Sequence, residues 1–474
     1  MHRARLTKGV AILAEQFDVV VLGGGPGGYA AALYGASAGL RVALVEEQRV
    51  GGTCLHRGCI PAKELLQTAE VLRTVRNAKE FGVDAGQQPT LDFVTSQNRK
   101  QQVVDRLTRG LEGLLNSRKI TTVPGTGSVV DASAHHIRVS DGSELQGRAL
   151  ILATGSVPRS LPGLDFDGER ILSSDHVLAL NDVPGRVLII GAGAIGCEFA
   201  SLLVDVGSEV TLVEALPRIL PGVDVEAADV VVKAFRKRGI RLHTGVRVTG
   251  IDGARELTVS FDTPEGSQQV VVDKVIVSIG RRARSDGINL EQSGVAVDER
   301  GFIQVDKLMR TSVPGVFAVG DVVDSPQLAH VGFAEAIVSI KTILGEPTTP
   351  VDYEKVPWGI YCHPEVAFSG LTEEQARQRG HDVVTSVHRF AGNGRALIIG
   401  EPDGLTKIVA ERDGPLLGVH IAGPWATELL VEGYLAVNWE ATGPEVGALI
   451  HPHPTLSELF GESALALTGR GLHA

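Results

Sequence analysis

No uninterrupted apolar run in this 474-residue chain reaches the ~18 residues that a membrane-spanning helix needs, which argues against a membrane protein. Positive charge is also short. Against 56 aspartates and glutamates stand 45 lysines and arginines, and a net charge of −11 argues against general binding to a nucleic-acid backbone, which depends on basic surface. Four cysteines are too few for a disulfide framework at this length. The opening residues, MHRARLTKGVAILAEQ, are basic and then briefly apolar, but Glu15 interrupts and no small-residue cleavage pattern follows. They read as a short disordered leader rather than an export signal, and a cytoplasmic location is expected. Cys197 and Cys362 stand alone in sequence and read as packed thiols.

What the chain does have is length for about three domains and a repeat. The stretch FDVVVLGGGPGGYAAALYGASAGLRVALVEE from Phe17 reads as a buried strand, a glycine turn, an alanine-rich helix and a second strand ending in Glu46 and Glu47. GRVLIIGAGAIGCEFASLLVDVGSEVTLVEA from Gly185 has the same plan. The Gly-x-Gly-x-x-Gly glycines are Gly23, Gly25 and Gly28 in one copy and Gly191, Gly193 and Gly196 in the other. In both, 23 positions separate the first glycine from the strand-end acid, Glu46 or Glu214. The first glycine permits the tight turn, the second lets backbone approach a pyrophosphate, and the third lets helix pack on strand. The helix N-terminus then faces the phosphates, and the acid can accept hydrogen bonds from a ribose. Two complete fingerprints in one chain suggest two cofactors exchanging a hydride.

GGTCLHRGCIPAKELL from Gly51 places Cys54 and Cys59 five positions apart. A zinc site needs two further ligands at suitable spacing, and only scattered histidines are available, so no metal is expected. A structural disulfide would close so short a loop that its entropic gain is small. A dithiol that cycles is the reading that remains. A thiol with its ordinary pKa near 8.5 then needs a base or a positive field. HPHPTLSELFGE from His451 offers two histidines before prolines, with Glu458 five residues beyond His453. A His-Glu pair suits acid-base work on thiols, and a plain surface loop remains the alternative on these residues alone.

Taken with ILATGSVPRSLPG from Ile151 and GVFAVGDVV from Gly315, these motifs resemble the flavoprotein disulfide reductases. The resemblance implies an α/β fold: two Rossmann-like dinucleotide-binding domains, for FAD and NAD, plus a C-terminal α+β dimerisation domain. It implies a discontinuous FAD domain over 1–155 and 284–350, an NAD domain over 156–283 and an interface domain over 351–474. Cys54 would exchange with the substrate's sulfur, and Cys59 would lie against the flavin. Lys63, one helical turn past Cys59, would sit near the flavin ring paired with Glu198. His453 would be the base and Glu458 its partner, with a cis peptide expected before Pro454 and His451 as the fallback. For FAD the implied contacts are Gly23, Gly25, Gly28, Glu46, Gly52, Thr53, Lys63, Thr154, Gly155, Gly320, Asp321 and Ala329. For the nicotinamide nucleotide they are Gly191, Gly193, Gly196, Glu214 and Gly280.

Within the family, HPHPTLSE, NGRALIIG from Asn393 and GVHIAGPWATELLVEG from Gly418 are most similar to the branch that oxidises protein-bound dihydrolipoamide with NAD. The likeness runs from about Phe17 to Glu462. It implies a homodimer whose partner is the lipoyl-bearing acyltransferase of a 2-oxoacid dehydrogenase complex or a glycine cleavage system. Glutathione reductase is the nearest alternative. Glu214, which suits a free 2′-hydroxyl, and Ala194, where that branch carries a tyrosine, weigh against it. A catalytically silent flavin-bearing subunit is a further alternative, opposed by the presence of both cysteines, His453 and Glu458. His56 and Arg57 between the cysteines, and AHVGFAEAI from Ala329, depart from the commoner LNVG and AHKA forms.

Overall fold

A computed structural model describes residues 15–86, 89–253 and 256–473, so the leader expected over residues 1–16 lies outside the described residues except for Glu15 and Gln16, which belong to a strand. The chain divides into two compact units. One takes Met1–Ile60, Val103–Val157 and Arg281–Val351; the other takes Pro61–Gln102, Pro158–Gly280 and Asp352–Ala474. Residues 61–102, assigned from sequence to the first cofactor domain, group with the second unit.

In the first unit, strand β1 (Glu15–Leu22) leads into helix α1 (Pro26–Ser37) and strand β2 (Val42–Glu46). β1 runs parallel to β2, Val19 facing Val42, and to strand Glu144–Leu152 on its other side. Val19, Val20 and Val21 are fully buried, as a parallel strand covered on both faces requires, each contributing roughly 1.5–3 kcal/mol of apolar burial. The sheet has seven strands among the described residues, including Val316–Ala318, which pairs parallel with Glu144–Leu152. Helix α1 packs against helix Ala329–Leu344 because both carry glycine at the crossing: a Cβ on Gly332 would lie 3.3 Å from Gly27 N.

The second unit repeats the plan in a five-stranded, all-parallel sheet centred on Arg186–Ile190, with Glu209–Glu214 beside it. Helix Ala194–Val206 is buried along most of its length. A separate five-stranded antiparallel sheet spans Trp358–Ile360 to Leu416–Gly423, with helix Ala426–Asn438 against it. Among the described residues no helix is long and apolar enough to cross a membrane.

Candidate active site

The two glycine turns are built alike, atom for atom. Gly23 N–H donates to Val45 O and Gly191 N–H to Val213 O, each at 2.8 Å. Gly23 and Gly191 adopt φ +107° and +99°, which only glycine takes without strain. A Cβ on Gly28 would run into the Gly23 carbonyl, and one on Gly196 into that of Gly191, so the third glycine of each motif is fixed by close packing. Each turn opens a helix whose N-cap, Gly25 or Gly193, makes no side-chain cap, so no capping side chain occupies the helix N-terminus, where an anion can be received.

The acids do more than their spacing suggested. Glu46 accepts from Gly24 N–H at 2.7 Å and Gln48 N–H at 2.9 Å; Glu214 accepts from Ala192 N–H at 2.6 Å and Leu216 N–H at 2.9 Å. Each carboxylate therefore ties its strand end to its own glycine turn and sets the turn's shape. Glu47 is engaged differently. Arg284 grips it with two guanidinium nitrogens, and that hydrogen bonding holds the Glu47 carboxyl below the usual range.

Helix α2 (Gly52–Arg57) and helix α3 (Cys59–Asn77) carry the cysteines, Cys54 within the first and Cys59 opening the second, both half-buried. The segment is pressed onto the first glycine turn. Gly51 N–H donates to Gly24 O at 2.7 Å, and a Cβ on Gly52 would come within 2.5 Å of Gly25 Cα. Thr53 lies in the first turn of α2. His56 bonds Val50 O at 2.9 Å, so it braces the loop. Tyr29 on α1 is held as a neutral phenol, its pKa pushed up to about 12 by burial and by the negative fields of Cys54 and Cys59.

In the same unit Thr154 Oγ1 donates to Arg284 O at 2.6 Å, beside Gly155. Asp321 accepts from Ser156 Oγ at 2.5 Å, and Arg281 bonds the same hydroxyl at 2.7 Å. Gly320 N–H is anchored by the buried Glu335 at 2.6 Å, on the helix that Ala329 begins. Ser156, Arg281, Arg284 and Glu335 were not singled out from sequence. For the arginines the only signal was the basic run GRRAR after a strand in an acidic chain, since the partners of Ser156, Arg281 and Arg284 lie more than a hundred residues away, while Glu335 meets Gly320 fifteen residues before it.

In the second unit Lys63 Nζ donates to both oxygens of Glu198 at 2.9 Å, with Glu198 almost wholly buried. Gly280 follows the central strands at φ +105°. The two C-terminal histidines each have a carboxylate: His451 meets Glu432 and His453 meets Glu458, both at 2.8 Å. Exposure separates them, since the side chain of His453 is 80% exposed and that of His451 only 11%. The His453–Pro454 peptide is cis. Cys197 and Cys362 are buried, and burial pushes both thiols well up.

Known proteins share this architecture. The chain is 42% identical to a dihydrolipoyl dehydrogenase of Bacillus subtilis over 97% of its own length and all of the relative's. A dihydrolipoyl dehydrogenase of Thermus scotoductus is 42% identical over 97% of this chain and 99% of the relative. Among solved structures, LpdA from Mycobacterium tuberculosis matches with a TM-score of 0.88 at 26% identity, covering 96% of this chain and all of that one. The flavoprotein disulfide reductase RclA from Escherichia coli matches at 0.84 and 27%, covering 94% and 99%. Residues 17–336 match the pyridine nucleotide-disulphide oxidoreductase model and residues 356–464 that family's dimerisation domain. The chain belongs to the pyridine nucleotide-disulphide oxidoreductase family.

Proposed function

We propose that the protein is an FAD-dependent dihydrolipoamide:NAD oxidoreductase working through Cys54 and Cys59. The observation that carries this reading is the docking of the cysteine segment on the first dinucleotide turn, through Gly51 and Gly52, which sets a redox pair beside a cofactor cradle. The uncapped helix N-terminus and close-packed glycines of each turn fit a pyrophosphate. FAD would be held by Gly23, Gly25, Gly28, Glu46, Gly52, Thr53, Lys63, Thr154, Gly155, Gly320, Asp321 and Ala329. NAD would be held by Gly191, Gly193, Gly196, Glu214 and Gly280. In this reading 1–155 with 284–350 serve FAD, 156–283 NAD and 351–474 the interface, although residues 61–102 group by compactness with the second unit.

The chain's own part is thiol–disulfide exchange. His453, oriented by Glu458, takes the proton of one dihydrolipoamide thiol. The thiolate attacks Cys54 Sγ of the oxidised pair; an S–S bond forms between substrate and Cys54, and the Cys54–Cys59 bond breaks to leave Cys59 as thiolate. His453, exposed to water, releases that proton to solvent and then takes the proton of the substrate's second thiol, which attacks the substrate sulfur of the mixed disulfide. The cyclic disulfide leaves and Cys54 departs as thiolate. Two electrons now reside in the pair. Bound FAD and NAD would supply the two-electron chemistry that returns the pair to its disulfide. His453 is preferred to His451 because its ring stands in solvent, where a substrate can meet it.

The reading extends to a cytoplasmic homodimer serving the lipoyl domain of an acyltransferase. Val431, Leu435 and Trp439, exposed along helix Ala426–Asn438 and just beyond its end, support a second copy there. Assay of the FAD-loaded protein tests the reading. Turnover with lipoamide and NAD should far exceed that with glutathione disulfide and the 2′-phosphorylated nucleotide. A faster glutathione rate would overturn the substrate assignment.

A further inference from the structure

Glu198 is 7% exposed, and a buried carboxylate persists only where its charge is matched. Lys63 supplies two hydrogen bonds at 2.9 Å. A third comes from an unforeseen source, the main-chain N–H of Tyr361, which donates to Glu198 Oε1 at 3.0 Å. The same residue's ring lies under the ammonium, with Lys63 Nζ 4.6 Å from the ring centroid. We infer that Tyr361 is a positioning residue: its N–H fixes the carboxylate and its ring face fixes the ammonium, so one residue sets the place of both members of the pair.

The ring is itself held. Its hydroxyl shares a hydrogen bond with Thr427, and Thr427 donates twice to Glu365 Oε2, from N–H at 3.0 Å and from Oγ1 at 2.8 Å. Tyr361 follows strand Trp358–Ile360, where Gly359 leaves the needed space: a Cβ there would stand 3.1 Å from Thr427 Cγ2 and 3.4 Å from Tyr361 Cε2. A lysine on a four-carbon stem otherwise spreads over many rotamers, and a salt bridge alone leaves it free to swing about the carboxylate. The aromatic face closes the opposite side.

This rests on the proposed reading, in which Lys63 lies beside the bound flavin; a cation held there favours the reduced, more anionic flavin. The test is the flavin midpoint potential of the FAD-loaded protein, measured spectroelectrochemically, together with the rate of flavin reduction by NADH. Lys63→Met should lower the potential. Tyr361→Leu should lower it part of the way and slow reduction about 2- to 30-fold, the worth of a lost cation–π contact. The main-chain N–H persists in every variant, so these substitutions read the ring alone: Tyr361→Phe, which keeps the ring and loses only the hydroxyl, should restore most of both, and adding Tyr361→Leu to Lys63→Met should change nothing more. Tyr361→Met, of similar bulk, replaces the leucine variant should that chain fail to fold. A lowered potential in Lys63→Met with none in Tyr361→Leu would overturn the role of Tyr361 alone. An unmoved potential in Lys63→Met would overturn the placement of the lysine beside the flavin, and the inference with it.

Discussion

Replacing Glu214 with alanine should cost the protein its grip on NAD while leaving FAD in place. The side chain is 9% exposed, and its oxygens accept the N–H groups of Ala192 at 2.6 Å and Leu216 at 2.9 Å. Hydrogen bonds to a charged group are worth about 1.5–3 kcal/mol each, and alanine removes both, with water entering in partial compensation. A net loss of about 2–4 kcal/mol in the order of the turn follows. The dinucleotide must then make up that order on binding, so its dissociation constant should rise about 30- to 1,000-fold. The 2′-phosphorylated analogue meets the same ordering cost but escapes repulsion by the carboxylate, so the preference for NAD should shrink at least about 10-fold. Calorimetric titration of oxidised, FAD-loaded protein with NAD and NADP measures both constants. Flavin absorbance provides the control, because Glu46 plays the equivalent part in the other copy and is untouched. An affinity for NAD within about 3-fold of wild type, the range of an inert surface change, would refute the reasoning.

His453→Ala should lower lipoamide turnover by about 10²- to 10⁴-fold, the usual worth of a positioned acid-base group, with FAD content unchanged. For Glu458, desolvation pushes the pKa up, but hydrogen bonds from Thr455 and His453 and the nearby histidine charges outweigh it, so the net shift is downward. A depressed carboxyl pKa contributes stability above the unfolded value and loses it as pH falls through the folded one. The pair should therefore persist across neutral pH and fail only in acid, and Glu458→Gln should flatten that acid limb of a denaturation-versus-pH curve. If His453 serves the partner's cysteines in the dimer, His453→Ala and Cys59→Ser chains refolded together should recover about a quarter of wild-type turnover, since half the dimers are hybrids with one intact site. Confirmed hybrids with no recovery would place His453 on its own chain's site.

Much of this was legible because the chain repeats itself. Two glycine turns with acids at equal distances announced two equivalent units, and the structure reproduces even their hydrogen bonds at matching positions. Local pattern also carried the cysteine helices and the His-Glu spacing. What was hidden depends on the chain folding back. The motifs placed Glu46, Glu214 and Asp321 but not their partners: that Glu46 and Glu214 clamp their own turns, that Glu47 answers Arg284, and that Ser156 and Arg281 meet at Asp321 are pairings that spacing does not specify. His451 and His453 each precede a proline, and resemblance alone favoured His453; the difference in burial between the two rings is what the sequence did not carry. The resemblance placed residues 61–102 in the FAD-binding domain over 1–155, and their grouping with the second unit has no local signal because compactness is a property of long-range packing.

The most direct measurement of the central claim, that Cys54 and Cys59 cycle, is alkylation read by mass spectrometry. FAD-loaded protein is treated anaerobically with iodoacetamide before and after NADH, and each of the four cysteines is followed separately. Cys54 and Cys59 should take the label only after NADH. Cys197 and Cys362, buried and with thiol pKa values pushed up by desolvation, should stay unlabelled in both samples. Equal labelling of Cys54 and Cys59 with and without NADH would contradict the claim.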